Sequence, residues 1–533
     1  MRSLVSANGC SKTFTYQTRI KDSNFLLDNF LTEYAALYGK IERRLFADYC
    51  RGLNIFKVKS CYLQRYGITA RQFNAVRIVL QGKIDSIKSL QGEYIADAQA
   101  RIKKVACDIK HLQQKHNKTQ LQSNKLHQKQ RLIIRLNRKL QGIKHDKQHN
   151  KVRLCFGSKQ LFKQQFNLAV NQYNNHRQWQ QAWRKARGNQ FFCIGSKDEA
   201  MGNQSCMAVI NDLDNSISLK IRVPNCMSHK YGKHINIANL EFAYGNAAIL
   251  AAINSNITRN IYARKSQIAL HAGLYKQYGR AINYRLLKDA KGWRVFVTCD
   301  SKQEQIISDK RLGAIGIDIN IDHLAVSEID RHGNLVNSFK ISTCTYGRDH
   351  NQAKAIIGDA VKCIIAVASN KQKPIVIEKL DFSKKKQQLA FNKNKNSNRQ
   401  LSSFTYAAII QNILAKAFKA AIEVYQVNPA YTSIIGRVKF AKIYNISIHQ
   451  AAAIVIARRL FGFSERLPNC WRNIPNNTGG RITLHELVKI QGRHVWHSWA
   501  KVGKNLKTVL VAQYQMFIHA QLLKPDLTDQ LAF

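Results

Sequence analysis

The segment GAIGIDINIDHLAV, residues 313–326, contains two apolar runs, and the first of them ends at an acid, Asp318. The first run predicts a buried strand that ends at this carboxylate. The second run continues as IDHLAVSEID at 321–330 and predicts a second strand. A turn of Arg-His-Gly-Asn at 331–334 then leads to LVNSFKIS at 335–342. Three consecutive strands are therefore predicted around Asp318.

Helices and strands alternate after this meander. The sequence predicts, in order, a helix near 350–369, the strand PIVIEKL at 374–380, the helix SSFTYAAIIQNILAKAFKAA at 402–421, the strand IEVYQVNP at 422–429 and the helix SIHQAAAIVIARRLF at 447–461. The order βββαβαβα over 311–463 predicts an RNase H fold. Strands one and four are neighbours in that topology. Asp318 and Glu378, near the end of the fourth strand, are therefore expected to face each other.

Two carboxylates on adjacent strands are typical of a metal-dependent phosphodiesterase. In-line attack on a phosphodiester is assisted by two divalent ions roughly 3.5–4 Å apart, and rigid strands can hold their ligands. A lone acid at a strand end is more often simply solvated. The strand order around both Asp318 and Glu378 favours the metal hypothesis over that alternative.

The same residues resemble a known family. GAIGIDINIDHLAV, IVIEKLDFSKK (375–385) and VNPAYTSIIGRVKFAKIYNISIHQAAAIVIARR (427–459) are similar to the three segments of the split RuvC-like nuclease in TnpB (OrfB) proteins, insertion-sequence relatives of type V CRISPR effectors. The resemblance implies an RNA-guided DNA endonuclease. It also implies that Asp318 and Glu378 are the first two metal ligands.

The third position departs from the family pattern. Many relatives carry an Asp before the alanine-rich helix, whereas this chain has His449 in SIHQAAA. As a ligand, a neutral imidazole suits Mn²⁺ or another transition ion better than Mg²⁺. Alternatively, His449 marks a site that has lost its third acid. The zinc-ribbon cysteines usual in the family are absent, so no structural zinc is expected.

Basic residues flank the predicted pocket and are candidates for contacts with the scissile strand. They are Lys384, Lys385 and Lys386 after the fourth strand, and Arg437 and Lys439 after the YTS sequence. Cations there would position phosphates without reading bases. The alternative is an ordinary solvated surface.

The amino-terminal half differs in composition and pattern. Residues 1–152 predict a basic helical region after a short strand, TFTYQTRI, at 13–20. Within 98–152, apolar steps of three or four residues predict two antiparallel helices joined by a polar tip over 113–130. Residues 101–160 hold 17 Lys or Arg and 2 acids, which favours a strut along a phosphate backbone over a neutral spacer.

Residues 153–310 predict a β-rich domain that binds guide and target. Alternating segments recur there, including a strand–turn–strand pattern over 281–300 with its turn at 289–292. Trp179 and Trp183, one helical turn apart, are more typical of a core stripe than of a base-stacking surface. The role of residues 464–533 is not predicted.

Composition limits the class of partner. The chain has 533 residues, with 84 Lys plus Arg against 32 Asp plus Glu, so its net charge is 84 − 32 = +52. Nucleic acid is the polyanion that such a charge favours. No signal peptide or membrane-length apolar run is present, so a cytoplasmic, nucleoid-associated protein is expected. The 12 cysteines include no C-x-x-C pair, and reduced, buried thiols are expected.

The sequence as a whole predicts an α/β multi-domain protein: a RuvC-type nuclease domain with basic helical and β-rich nucleic-acid-binding domains. The expected activity is RNA-guided DNA cleavage with Mg²⁺ or Mn²⁺ at Asp318, Glu378 and His449. The expected partners are a guide RNA from its own locus and double-stranded DNA with a short flanking motif, and a co-encoded transposase is a further candidate partner. The alternatives are a nuclease-inactive, RNA-guided repressor and an RNA-binding accessory factor.

Overall fold

The structure is a computed structural model, and it describes most of the chain. The described residues are 11–21, 24–114, 116–211, 216–265, 279–379, 406–441, 443–465, 473–475, 481–483, 495–500 and 502–503. The chain is mixed α/β and divides into two compact units, which we call the amino-terminal unit (Ser11–Lys302) and the carboxy-terminal unit (Gln303–Phe533).

Helices and strands alternate irregularly in the amino-terminal unit. Its helices are α1 (Phe25–Cys50), α2 (Lys59–Tyr66), α3 (Ala70–Gln113), α4 (Gln120–Gln148), α5 (Lys159–Gln164), α6 (His176–Ala186), α7 (Ser228–Tyr231) and α8 (Asn246–Lys265). Its strands are β1 (Ser11–Arg19), β2 (Gln190–Cys193), β3 (Cys206–Ile210), β4 (Ile217–Arg222), β5 (His234–Leu240), β6 (Ile282–Asp289) and β7 (Gly292–Lys302).

Two antiparallel sheets organise these strands. One sheet has the order β1-β7-β6-β2 and the other β3-β4-β5. Asp289 pairs with Gly292 across the turn between β6 and β7, which confirms the predicted turn. Apolar side chains from α1, α3 and both sheets form one buried core. The division predicted between 1–152 and 153–310 stays a prediction. In the larger sheet, β1 belongs to the first of these ranges and the other three strands belong to the second.

The predicted hairpin is formed by α3 and α4. Both helices begin with a capping box, in which Thr69 pairs with Gln72 and Thr119 with Gln122. Because Thr119 starts α4 so early, most of the stretch predicted as a polar tip is helical, and that part of the prediction is wrong. The polar residues of 120–130 lie on a largely exposed helix rather than in a loop.

The carboxy-terminal unit contains the segment around Asp318. Its strands are β8 (Ala314–Ile319), β9 (His323–Ile329), β10 (Leu335–Ser342), β11 (Ile375–Glu378), β12 (Val424–Val427), β13 (Asn473–Pro475) and β14 (Arg481–Thr483). Its helices are α9 (His350–Lys371), α10 (Tyr406–Lys419), α11 (Thr432–Ile435) and α12 (Ile448–Leu460), and a π-helical turn covers Gly436–Phe440.

A five-stranded sheet with the order β10-β9-β8-β11-β12 is the centre of this unit. The first three strands are antiparallel, and β11 runs parallel to both β8 and β12. The predicted sequence of elements and the predicted pairing of strands one and four are confirmed. β8 and β9 are almost wholly buried, as their continuous apolar runs require.

Helix α12 packs directly on β8, and Gly316 makes this possible. A Cβ added to Gly316 would lie 2.0 Å from the carbonyl oxygen of Ala453 and 2.9 Å from the backbone nitrogen of Ala457. Only glycine on the strand, opposite alanines on the helix, permits this approach. The seven residues of α12 from 451 to 457 are all buried. Trp499 is also fully buried in the adjoining core, and its indole donates to the carbonyl oxygen of Glu465 at 2.6 Å.

Two expectations from composition have a structural counterpart. No helix among the described residues is long and apolar enough to cross a membrane. Ten cysteines in the described ranges are free, and Cys193, Cys206 and Cys299 are buried as expected. The expectation of burial is wrong for six others, which lie on exposed surfaces: Cys50, Cys61, Cys107, Cys226, Cys344 and Cys363.

Candidate active site

Asp318 and Glu378 lie at matching positions on two neighbouring parallel strands. β8 and β11 pair with Ile315 opposite Ile375 and with Ile317 opposite Ile377, so the next residue on each strand is an acid. The carboxyl ends of parallel strands meet at one edge of a sheet, and this register places both acids there. Only 10% of the Asp318 side chain is exposed.

Helix α12 brings His449 to Asp318. Gly316 and Asp318 lie on the same face of β8, because side chains alternate along a strand. Ala453 covers Gly316, and His449 lies one turn earlier on the helix. Four helical residues span about 6 Å, close to two residues of a strand, so an antiparallel helix places His449 over Asp318. His449 Nδ1 lies 3.1 Å from Asp318 Oδ2, and 45% of the His449 side chain is exposed.

Glu378 is held by the loop that follows β12. Thr432 Oγ1 donates to Glu378 Oε1 at 2.6 Å, and the buried Thr432 is at the start of α11. Arg459, on α12, donates to the carbonyl oxygens of Asn428 and Ala430 in the same loop. The NPAYTS sequence therefore orients the second carboxylate through its threonine.

Polar residues directly after β8 complete the surroundings of Asp318. Asn320 Nδ2 donates to Asp318 Oδ2 at 3.0 Å. The His323 ring lies edge-to-face against the His449 ring, with centroids 5.0 Å apart, and its Nδ1 lies 2.7 Å from Asp322 Oδ1. The hydrogen bond from His323 lowers the pKa of Asp322, and the charges of His323 and His449 add to that effect.

Tyr406, the first residue of α10, lies within the field of both carboxylates. Burial raises the pKa of its phenol well above the usual value, and the charges of Glu378 and Asp318 raise it further. The phenol is therefore neutral at every physiological pH.

The basic residues predicted to contact nucleic acid have different positions. Lys384, Lys385 and Lys386 lie outside the described residues. Arg437 is half-buried on the π-helical turn. Lys439 Nζ lies 2.5 Å from Glu465 Oε2, and its side chain is only 19% exposed. Lys439 thus has an ion pair within the unit, and contact of either residue with nucleic acid stays a prediction.

Sequence reasoning placed Asp318, Glu378 and His449 but missed four neighbours: Thr432, Asn320, His323 and Tyr406. The signal for Asn320 and His323 was available, because polar residues that directly follow a buried strand tend to line the same edge as its terminal acid. Nothing local identifies Thr432 or Tyr406.

The donor types at this edge fit a divalent cation. Two carboxylates offer the hard oxygen ligands that Mg²⁺ and Mn²⁺ prefer, and an imidazole favours the transition ion. Asp318 and His449 already form a close pair. Within the part of the chain that the structure describes, no three His, Cys, Asp or Glu side chains are gathered to hold a metal ion.

Comparison with known proteins gives only distant likenesses. No protein-family model and no curated protein matches the chain. RuvC of T. thermophilus, in complex with a Holliday junction substrate, is 17% identical over 28% of this chain and 94% of its own, with a TM-score of 0.21. A Cas12f1–sgRNA–target DNA complex is 11% identical over 85% of this chain and 99% of its own, with a TM-score of 0.31.

A third likeness is to the Cas12i1 R-loop complex before target DNA cleavage. It is 10% identical over 71% of this chain and 61% of its own, with a TM-score of 0.30. At these identities and TM-scores, the likenesses do not establish a shared fold or activity.

Proposed function

We propose that this protein is an RNA-guided, divalent-metal-dependent DNA endonuclease of the TnpB type, with an RNase H-like (RuvC-type) nuclease domain. The observation that carries the nuclease proposal is the register that ends two neighbouring parallel strands in acids at one sheet edge, with an imidazole beside the first acid. Asp318 and Glu378 end neighbouring parallel strands, and His449 Nδ1 lies 3.1 Å from Asp318 Oδ2. Asp318 is buried and Glu378 is partly buried, and carboxylates withdrawn from water are costly unless a cation, a proton or hydrogen bonds compensate them.

The role proposed for each residue of the site follows from its position. A divalent metal ion, when bound, supplies an activated water and stabilises the attacking and leaving oxygens of the phosphodiester. Asp318, fixed on β8 and oriented by Asn320, offers the central oxygen ligand. Glu378 offers a second carboxylate whose direction is set by Thr432. His449 offers the third ligand from the more exposed side of the site, where substrate has access.

The guide and target are proposed from charge and from the resemblance to TnpB. A net charge of +52 favours polyanionic partners such as nucleic acids. Base pairing of a guide RNA from its own locus would select the DNA sequence, and the protein would read backbone shape and a short flanking motif. A co-encoded transposase is an additional candidate partner, and the proposed location is the cytoplasm.

One observation favours a second candidate, a nuclease-inactive RNA-guided repressor. The third position is His449 instead of an acid, and the described residues include no gathered set of three ligands. Such a protein would hold its DNA target without hydrolysing it. The two candidates differ only in whether metal-dependent cleavage follows binding.

The test is cleavage of a plasmid library that carries a fixed target and randomised flanks. The protein is co-expressed with RNA from its own locus and assayed in Mg²⁺ and in Mn²⁺. We expect depletion of one flank, and loss of cleavage by at least about 100-fold in Asp318→Asn, because a neutral amide cannot replace the carboxylate at the metal. Sequencing of the surviving plasmids measures both effects.

The matched control is Asp359→Asn, an identical change at an exposed position of α9. It should cleave like the unaltered protein. Flank-specific binding without cleavage in either metal would favour the repressor. Cleavage by Asp318→Asn at the unaltered rate would contradict the assigned site.

A further inference from the structure

An open pocket in the amino-terminal unit has aromatic walls. Its volume is about 540 Å³, within the range of small-ligand sites. Four aromatic side chains line it: Phe156, Phe162, Phe166 and Trp183. The ring centroids of Phe162 and Trp183 are 5.6 Å apart, and those of Phe162 and Phe166 are 6.2 Å apart. The pocket therefore presents several π faces within reach of one flat ligand.

Two of these rings are left in contact with water. Phe162 is 43% exposed and Phe166 is 69% exposed, although each would gain by burial. Exposed aromatic side chains that cluster in a concave site, instead of being scattered singly, are typical of a binding surface. The cluster is therefore a candidate site for an apolar, planar group.

The backbone behind the rings is fixed by Trp179. This residue is buried, stacks on Trp183 at a centroid distance of 5.9 Å and an interplanar angle of 14°, and donates its indole N–H to the carbonyl oxygen of Leu161 at 2.8 Å. The hydrogen bond ties α6 to α5. Trp179 is thus the core residue of the tryptophan pair, whereas Trp183 forms part of the pocket wall. A site whose rings are already positioned binds with a smaller entropic cost.

The same pocket is strongly basic. Lys159, Lys163 and Arg187 line it, and the Arg187 guanidinium lies over the Trp183 ring at 5.1 Å. Residues 147–197 contain 10 Lys or Arg and no acid. The ion pairs found among the described residues include none of these three cations. Burial, and then the charge of Arg184, lower the pKa of Arg187, as expected for a cation that lacks an anion.

We propose that this pocket binds an unpaired nucleobase of single-stranded RNA, with the base stacked among Phe162, Phe166 and Trp183 and its phosphates held by Lys159, Lys163 and Arg187. A base offers the π face, and its backbone offers the negative charge on both sides. Unpaired RNA bases are recognised in this manner, by stacking on aromatic side chains and on arginine. A protein partner would need acidic side chains beside its apolar ones to match the same three cations. The inference rests on the RNA-binding part of the proposed function and gives it a site.

The test is the affinity of the full chain for a short fluorescein-labelled single-stranded RNA, measured by anisotropy without divalent metal. We expect Phe166→Ala to weaken binding about 5- to 150-fold, the range for loss of one stacked base. An otherwise identical strand with abasic sites should bind weakly, and Phe166→Ala should not change its affinity. Lys163→Gln should weaken binding of both strands, because it removes a phosphate contact.

Two controls separate this inference from others. Phe25→Ala removes a phenylalanine that is 84% exposed outside the pocket, and it should leave the RNA affinity unchanged. Asp318→Asn should abolish cleavage and keep the RNA affinity. The RNA affinity therefore tests the pocket independently of the nuclease proposal. Unaltered RNA binding by Phe166→Ala would overturn the inference. So would self-association that Phe166→Ala abolishes while RNA affinity is kept, which would indicate a protein interface.

Discussion

His449 introduces an imidazole where a third carboxylate would add negative charge. Its Nδ1 contacts Asp318 at 3.1 Å, and its ring packs against that of His323. With a neutral imidazole, the site carries one negative charge fewer than a site of three carboxylates. Since carboxylates bind Mg²⁺ well and imidazole binds transition ions better, the identity of this one residue should decide which metal supports activity.

Substitution of His449 tests that consequence. We expect His449→Ala to reduce cleavage by roughly 100-fold or more and to weaken Mn²⁺ binding by roughly 10- to 100-fold. His449→Asp should keep cleavage and shift the preference towards Mg²⁺. Plasmid cleavage and calorimetric titration of each metal measure these effects independently. The exposed His350, at the start of α9, supplies the control His350→Ala. Full cleavage by His449→Ala would remove His449 from the site.

Single residues differ in how far the sequence predicts them. Asp318 and Glu378 interrupt apolar strands, so their positions are visible without a structure. Thr432 contacts Glu378 from 54 residues away, and the pKa of Tyr406, at the start of a separate helix, is raised by burial and then by the charges of both acids. No local pattern encodes such a contact, because it depends on how α10 and α11 pack on the sheet. Lys439 is a case in which the sequence does not show the contact that the structure has. In the sequence it resembles an exposed lysine, whereas in the structure it forms an ion pair with the buried Glu465.

At the scale of elements, the contact between α12 and β8 determines the site. His449 reaches Asp318 only because the helix lies close to the strand at Gly316. Displacement of the helix would move His449 while Asp318 and Glu378 stayed on the sheet. Stability and activity should therefore be coupled at a position that touches no substrate.

Gly316→Ala is the corresponding prediction. The new Cβ would lie 2.0 Å from the carbonyl oxygen of Ala453, so α12 must shift. We expect a decrease of about 1–3 kcal/mol in the free energy of unfolding, measured by denaturant titration, and a loss of cleavage. Gly358→Ala, inside α9 with no atom within 4 Å of the added Cβ, should instead stabilise by about 0.5–1 kcal/mol. Equal stability of the two variants would contradict the packing argument.

Elements are the scale at which the sequence predicts best. All five strands of the larger sheet in the carboxy-terminal unit were predicted, and β10 has the bounds predicted for it. The hairpin of α3 and α4 was found from its apolar seam, but its tip was placed over too many residues. The capping box at Thr119 and Gln122 was the missed signal, because it starts a helix among otherwise polar residues.

At the scale of the whole molecule, charge dominates. The excess of 52 positive charges is spread along the chain, and α4 alone holds eight Lys or Arg and one acid. Arg131, Arg135 and Arg138 are exposed at spacings of four and three, so they share one face of α4. That face is a candidate for contact with a phosphate backbone. Binding should therefore depend steeply on ionic strength.

We predict that affinity for duplex DNA falls about 10³- to 10⁵-fold between 50 and 200 mM salt, as for 6–10 phosphate contacts. Replacement of Arg131, Arg135 and Arg138 by Gln should reduce the slope of log K against log salt by about 2.7, or 0.9 per contact. The same three residues replaced by Lys keep the charge and should keep the slope. Filter binding across a salt series measures it. An unaltered slope in the Gln variant would place the DNA elsewhere.

The pairing of β1 with β7 also determines when, during synthesis of the chain, the larger sheet of the amino-terminal unit can form. Ser11 pairs with Lys302, so the first described strand meets its partner only after almost 300 further residues have been made. A ribosome that adds about 5–20 residues per second separates the two strands by roughly 15–60 s. During that interval β1 has no partner in its own sheet. Early folding of this unit during translation can therefore use its helices and the smaller sheet, whose last strand ends at Leu240, and the larger sheet must close last.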